Sequence, residues 1–318
     1  MSKKTSIGGQ ALIEGIMMKG PQKTAMAVRL PDGGIDVSFM DEKTIKDKLP
    51  FLKAPVLRGV VNFVESMLTG YKALMISADK SGFTEIEEET KDGEKKETEK
   101  LSGTFMNVLM VIAGVLGVAL SIVLFMLVPR LVVGGIDMLF KTELPSFMRA
   151  LIEQIIKMAV FVCYVWAVSY MKDIRRVFMY HGAEHKTIFC YEAGLPLTVE
   201  NAREQKRFHP RCGTSFMILM IIVGFIFSTV VQLLFRGVYD NVAFWVIAKI
   251  LMLPFICGVG YELLKICGRH DNAFTRIIAA PGLWLQRITT QEPEDDMLEI
   301  AIAAVKEVIP ENPDDDRW

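Results

Sequence analysis

Two stretches of this chain, Phe105 to Val128 and Cys212 to Phe235, each run for 24 residues without a charged side chain. At about 1.5 Å per helical residue, such a run crosses a hydrocarbon layer of about 30 Å. Within lipid the backbone must satisfy its own hydrogen bonds, so unbroken apolar runs of this length read as helices. Two weaker runs complete the set. Leu151 to Met171 is apolar apart from Glu153, Gln154 and Lys157, and Val242 to Tyr261 is broken only by Lys249. The expected fold is mainly α: a polytopic membrane protein with about four transmembrane helices (about 105–128, 151–171, 212–235 and 242–261), a small N-terminal α+β cytoplasmic region and a C-terminal amphipathic helix.

Orientation follows from the basic residues. Lys172, Arg175, Arg176, Lys186, Arg203, Lys206, Arg207 and Arg211 crowd the loop at 172–211. Lys265, Arg269, Arg276 and Arg287 follow the last span, whereas Arg130, Lys141, Arg149 and Arg236 are all that the opposite loops carry. An even number of spans then puts both termini and the 172–211 loop in the cytoplasm. The apolar piece Ala11 to Met18 is too short for a secretory signal and is interrupted by Glu14 and Gly15. A net charge of -1 gives no polybasic case for a nucleic-acid partner. The five cysteines hold no CxxC pair and read as reduced thiols.

Outside the spans the chain divides by pattern. Residues 1–50 hold two strand-like pieces, Ala25 to Leu30 and Ile35 to Phe39, around the turn Pro31-Asp32-Gly33-Gly34. Apolar residues at helical spacing between 50 and 80 predict an amphipathic helix, either on the membrane or packed in a core. The Glu/Lys-dense stretch at 81–103 reads as a solvated linker. Lys172 to Glu192 is expected to leave the second span as a helix ending near Gly194, with Thr198 capping a short helix through Arg207. In the tail at 266–318, Pro281-Gly282 reads as a break, Asp295 to Ile309 as a helix, and the acidic end from Glu311 to Asp316 as frayed.

The candidate chemistry centres on His181-Gly182-Ala183-Glu184-His185, an H-x-x-E-H string. On a helix, positions i, i+3 and i+4 share a face. Two imidazoles can then hold a divalent metal, zinc being the natural choice, while Glu184 serves as general base. Gly182 argues against a helix here, at a cost of about 1 kcal/mol. A catalytic zinc wants a third protein ligand, and His209, Cys212 and Glu262 are the candidates on the same side, with His270 and Asp271 just beyond. The glycines of Gly8-Gly9-Gln10-Ala11-Leu12-Ile13-Glu14-Gly15 suggest a tight backbone that sets Gln10 and Glu14 beside the site. Lys249, inside the fourth span, is a candidate partner of Glu153.

Several of these strings together resemble the YqhQ family: residues 8–18, the His181 pentad, His209-Pro210-Arg211-Cys212-Gly213-Thr214-Ser215, Pro281-Gly282-Leu283-Trp284-Leu285-Gln286 and Thr289-Thr290-Gln291-Glu292-Pro293. The resemblance runs from about residue 7 to residue 309. It implies a multi-pass protein of the bacterial cell membrane with its motifs in one shared region, in a family described as predicted metal-dependent enzymes of unknown function. The pentad also resembles the inverzincin peptidase motif, which implies a distal glutamate as third ligand, the role open to Glu262.

Two functions compete at this point. In one, the polar centre is a platform that docks a partner membrane complex such as protein translocation or insertion machinery, through the helices at 50–78 and 295–309 and the cations Arg203, Lys206, Arg207 and Arg211. In the other, it is a metal-dependent hydrolase acting at the cytoplasmic membrane surface on a peptide or lipid-linked substrate. The lipid bilayer is a partner in both, and the platform is the reading the surface cations favour.

Overall fold

The structure is a computed structural model and describes residues 4–40, 45, 49–83, 103–141, 144–235, 242–270 and 272–316. The charged linker from 84 to 102, Arg236 and Asp271 lie outside these residues. The described chain has 4 helices long and apolar enough to cross a membrane: Val111–Phe140, Phe147–Val168, Gly213–Val231 and Val246–Arg269.

The first of these is longer than the sequence suggested. Helix α2 (Gly103–Ile122) passes through a π-helical turn at Val123–Leu127 into α3 (Val128–Phe140), with Pro129 in the first turn of α3. The wide turn lets the helix continue past a residue that donates no hydrogen bond. Arg130, expected in a loop, is therefore helical. Arg149, in α4 (Ser146–Val168), ties the end of α3 to the start of α4 by an ion pair of 2.7 Å to Asp137. Helix α7 (Gly213–Leu234) matches its expected span. Helix α8 (Val242–Arg269) runs well past Tyr261 and carries Pro254 within it.

Among these apolar helices Glu153 is 1% exposed. It accepts from Lys157 Nζ at 2.9 Å, and Lys249 Nζ lies 3.5 Å away while donating to Ser228 Oγ at 2.6 Å. The expected Glu153–Lys249 pair is thus present as one edge of a larger polar knot joining α4, α7 and α8. A double-mutant cycle of Glu153→Gln and Lys249→Met is expected to return a coupling of roughly 0.5–3 kcal/mol. Additive losses of thermal stability would refute the pairing.

The N-terminal region is a four-stranded antiparallel meander, β1 (Gly8–Leu12), β2 (Gly15–Lys19), β3 (Thr24–Arg29) and β4 (Ile35–Met40). The β3–β4 hairpin was legible, with Arg29 opposite Ile35. The β1–β2 hairpin was not: its glycines read as a turn, yet only Ile13 and Glu14 turn, Glu14 with φ 49. Alternation sends Met17, Met26 and Val28 to one face, against Ala73 of α1 (Leu57–Lys80), and Ile16, Met18, Ala25 and Ala27 to the other. That second face meets α5 (Lys172–Glu192) and α10 (Asp295–Val308).

Helix α1 bridges sheet and spans. Its Gly59 lies so close to α8 that an added Cβ would come within 3.0 Å of Gly258, while Val64, Met67, Leu68 and Tyr71 stay exposed. Helix α10 is covered by α5, the sheet and α6 (Val199–Arg203): besides the expected Leu298, Ala301, Ile302 and Val305, it buries Met297, Ile300, Ala304 and Val308. Its apolar face is taken up within the chain, and Glu299, Lys306 and Glu307 are exposed. Two further expectations are corrected. Pro281-Gly282 does not break the chain but lies inside α9 (Ala273–Thr289), where Gly282 lets Ser215 of α7 approach and exposed Pro281 needs no room.

The acidic end is not frayed either. Asp316 is fully buried and accepts from Thr5 Oγ1 at 2.6 Å, Ser6 N at 2.8 Å and Tyr191 Oη at 2.9 Å. Burial raises its carboxyl, but the bonds from Thr5, Ser6 and Tyr191 prevail and hold it below the usual Asp range. A lowered folded value means that the stabilisation is complete above pH ~4 and fades as pH falls through that value. Asp316→Ala is expected to cost about 1–3 kcal/mol at neutral pH. Thermal midpoints of variant and wild type should converge as the pH drops below ~4. A gap that widens in acid would contradict the assignment.

Candidate metal centre

Helix α5 carries the pentad as one continuous helix, so His181, Glu184 and His185 share a face and the two imidazole centroids lie 4.4 Å apart. Gly182, which counted against a helix, has a packing reason. An added Cβ would lie 2.1 Å from the Gln291 carbonyl oxygen, because the segment after α9 crosses α5 at that point. Gln291 N donates to Phe178 O at 2.8 Å and pins the crossing.

Each imidazole is oriented by a backbone carbonyl. His181 Nδ1 donates to Thr289 O at 2.8 Å, and His185 Nδ1 to Arg207 O at 2.5 Å. With each Nδ1 so engaged, Nε2 is the nitrogen of both rings left to meet a metal, the arrangement that carbonyl partners give to metal-bound histidines. Cys212 supplies the third group. It is the N-cap of α7, where helix N–H groups favour a thiolate, and its Sγ sits 3.1 Å from His181 Nε2. One ligand atom from each of His181, His185 and Cys212 lies within 4.8 Å of the others, and among the described residues this is the cluster able to hold a metal ion. His185 and Cys212 are buried, and His185 Nε2 makes no hydrogen bond. An orphaned buried nitrogen beside a second imidazole and a thiol fits a divalent ion better than it fits an empty core.

Charge is shared across the group. Burial opposes the positive form of His181, but the neighbouring Cys212 sulfur outweighs it and holds the imidazole up at about 9. Burial likewise opposes the thiolate of Cys212, yet His181 and His185 bring it well below the usual thiol value. Glu184 is buried next to them. Burial pushes its carboxyl up against the pull of His185 and His181, and the Gly9 N–H bonds it.

Of the expected third ligands, only Cys212 joins the two histidines. His209 is near but differently employed. Its ring lies 5.5 Å from that of His185 and 4.7 Å from Phe189, its Nε2 is 3.8 Å from Glu192 Oε2, and burial pushes it down to about 4. Glu262 is a correction. Arg58 of α1 takes it in a two-bonded ion pair at 2.7 and 2.5 Å, so it braces α1 on α8 instead of reaching the cluster. His270 lies at the end of α8, outside the three-residue group. The residues of the glycine-rich hairpin also change roles. Gly9, and not Gln10 or Glu14, meets Glu184; Gln10 packs on Gly70, and Glu14 binds Arg176 at 2.5 Å and the Tyr180 hydroxyl at 3.2 Å.

Sequence reasoning missed one side chain that builds the site. Gln286 is fully buried in α9, accepts from His209 N at 2.7 Å, and donates to His209 O at 2.8 Å and Ser215 Oγ at 3.2 Å. It holds the turn that delivers Cys212. A glutamine within the amphipathic run Ala273–Thr289 was the available signal.

With this geometry established, relatives can be compared. Residues 54–311 match the family described as "Protein of unknown function (DUF1385)", a span that includes all three candidate ligands and Glu184. The "Uncharacterized protein YqhQ" of Bacillus subtilis (strain 168) is 35% identical over 303 residues, which is 95% of this chain and 92% of that protein. No solved structure matches the chain. On both counts the chain belongs to this family of uncharacterised proteins, the one that includes YqhQ.

Proposed function

We propose that the chain is a membrane-bound metal-dependent hydrolase whose centre is His181, His185 and Cys212, with Glu184 as the proton-accepting group. The observation that carries this reading is the cluster itself: three ligand atoms within 4.8 Å of one another, with both Nδ1 atoms already engaged by carbonyls. Two imidazoles and a thiolate suit zinc, and three protein ligands leave a position open. When bound, the ion supplies Lewis acidity toward a carbonyl or phosphoryl oxygen. The chain's own part is to hold a buried carboxyl, Glu184, beside that position with its proton affinity raised, as a general base near neutral pH requires.

The topology expected from the basic residues supports a cytoplasmic site. The sheet, α5, α6 and α10 pack as one body, and Thr5 meets Asp316 within it. With four crossings, the two ends of the chain fall on the same side. The docking reading leaned on four cations, and most of them have partners within the chain. Arg203 pairs with Asp295, Arg207 with Glu292 at 3.1 Å, and Arg211 with buried Glu192, so three of its four cations are matched within the chain.

Cobalt substitution tests the hydrolase reading without a known substrate. The cobalt-loaded protein is expected to show a thiolate-to-metal charge-transfer band that Cys212→Ser abolishes and that acetohydroxamate shifts by entering the open position. Absence of the band in wild type would remove the metal centre. A band unmoved by acetohydroxamate would mean a closed structural site and end the hydrolase reading alone.

A further inference from the structure

Helices α1 and α9 each expose an apolar stripe, and both grip the start of the same candidate span, α7. We propose that the two helices lie in the plane of the lipid interface as a collar around that span, with their stripes seated in the bilayer. The inference rests on the four crossings and does not require the metal.

Pattern is the first argument. Along α1, Leu57, Val64, Met67, Leu68 and Tyr71 are all exposed, Met67 at 60% and Tyr71 at 59%. At about 100° per residue they share one sector of the helix, roughly 100° wide, and no charged residue falls among them. Gly70 and Ala73, which meet the sheet, fall on the other side. Helix α9 repeats the pattern: Phe274, Ile277 and Trp284 are exposed on one side with Pro281 between them, while Gly282 and Leu285 are buried. An apolar stripe of this kind is unusual on a surface in water and is what an interfacial helix turns to lipid. Each stripe also carries one aromatic with a polar handle, Tyr71 or Trp284, of the kind enriched at headgroup level.

Position is the second argument. Phe63 of α1 sets its ring 5.5 Å from that of Phe216, and Gly282 of α9 lets Ser215 approach. Ser215 and Phe216 are neighbours in the first turn of α7, so both helices meet that span at one height. Gly260 of α8 comes close to Phe216 at the same level, and Gly59 and Arg58 fasten α1 to Gly258 and Glu262 of α8. Helix α1 thus has the candidate spans at its start and the sheet on one face, which leaves its stripe toward the lipid beside the spans. Cys212 caps the turn that both helices grip, so the collar would hold the candidate centre at headgroup height.

Full-length proteins with a single tryptophan, reconstituted in phosphatidylcholine vesicles, test this. Trp166→Phe, Trp245→Phe and Trp318→Phe leave Trp284 alone, and Trp284→Phe then clears the background for Tyr71→Trp, Met67→Trp or Phe255→Trp. Phe255 is exposed midway along α8 and reports on the span itself. Lipid brominated near the headgroup should quench positions 284 and 71 about twofold more than lipid brominated near the acyl ends, as a depth of roughly 5–10 Å requires. Position 255 should show the reverse order. Bromines that quench position 255 and leave either stripe untouched overturn the proposal alone. Acrylamide quenching would then mean that the stripe faces water, and quenching by neither agent that a protein or a second copy covers it. A position 255 that no bromine reaches removes the spans and the collar together. Met67→Trp gives α1 a second position should Tyr71→Trp lower the thermal midpoint, and Trp284 is native, so its arm alters neither stripe.

Discussion

Replacing Gly182 by alanine is expected to take the centre apart, although alanine favours a helix interior by about 1 kcal/mol. On propensity alone the variant should gain stability. The Cβ, however, would stand 2.1 Å from the Gln291 carbonyl oxygen, and that atom belongs to backbone held on α5 by the Phe178 carbonyl. The segment from Thr289 to Pro293 must lift, and Thr289 O is the acceptor that orients His181. Overpacking of this kind costs roughly 1–3 kcal/mol, enough to reverse the propensity gain. The thermal midpoint and the metal-to-protein ratio should fall together. A variant that is more stable and fully metallated would show that the crossing does not constrain the site.

Gln286→Leu is the second large effect. Leucine fills similar space but leaves His209 N and His209 O without their buried partner. Each orphaned group costs about 1–3 kcal/mol, so a loss of roughly 2–6 kcal/mol is expected. The turn at 208–211 also positions Cys212, and loss of such supporting contacts lowers metal affinity by roughly 10–100-fold. Competition against a chelator of known affinity measures this directly. Unchanged affinity with lowered stability would make Gln286 a brace of the fold and nothing more.

What the sequence disclosed follows the reach of each signal. Long apolar runs mark helices without reference to any neighbour, so α2, α4, α7 and α8 were legible as four candidate spans and only their ends moved, past Pro129, back to Ser146 and beyond Tyr261. The pentad was legible because helical spacing is local, and Cys212 because it opens a span. Glu262 was misread because a carboxylate at the end of a span looks the same whether it meets a metal or Arg58. The β1–β2 hairpin was hidden by burial on both faces, which removes the alternation that a half-exposed strand displays. The carbonyls of Thr289 and Arg207 that orient the histidines carry no side-chain signature at all.

The join between Asp316 and Thr5 bears on how such a chain is made. Synthesis delivers the sheet first, then the first two candidate spans, then His181 and His185, and Cys212 only at the start of the third. The carbonyl of Thr289 and the cover of α10 come later still, and Asp316, which fastens the N-terminal segment, follows α10. Until then, α5 carries two imidazoles with no finished pocket around them. A metal at the proposed centre would therefore be loaded after these segments have met, and not by the nascent chain.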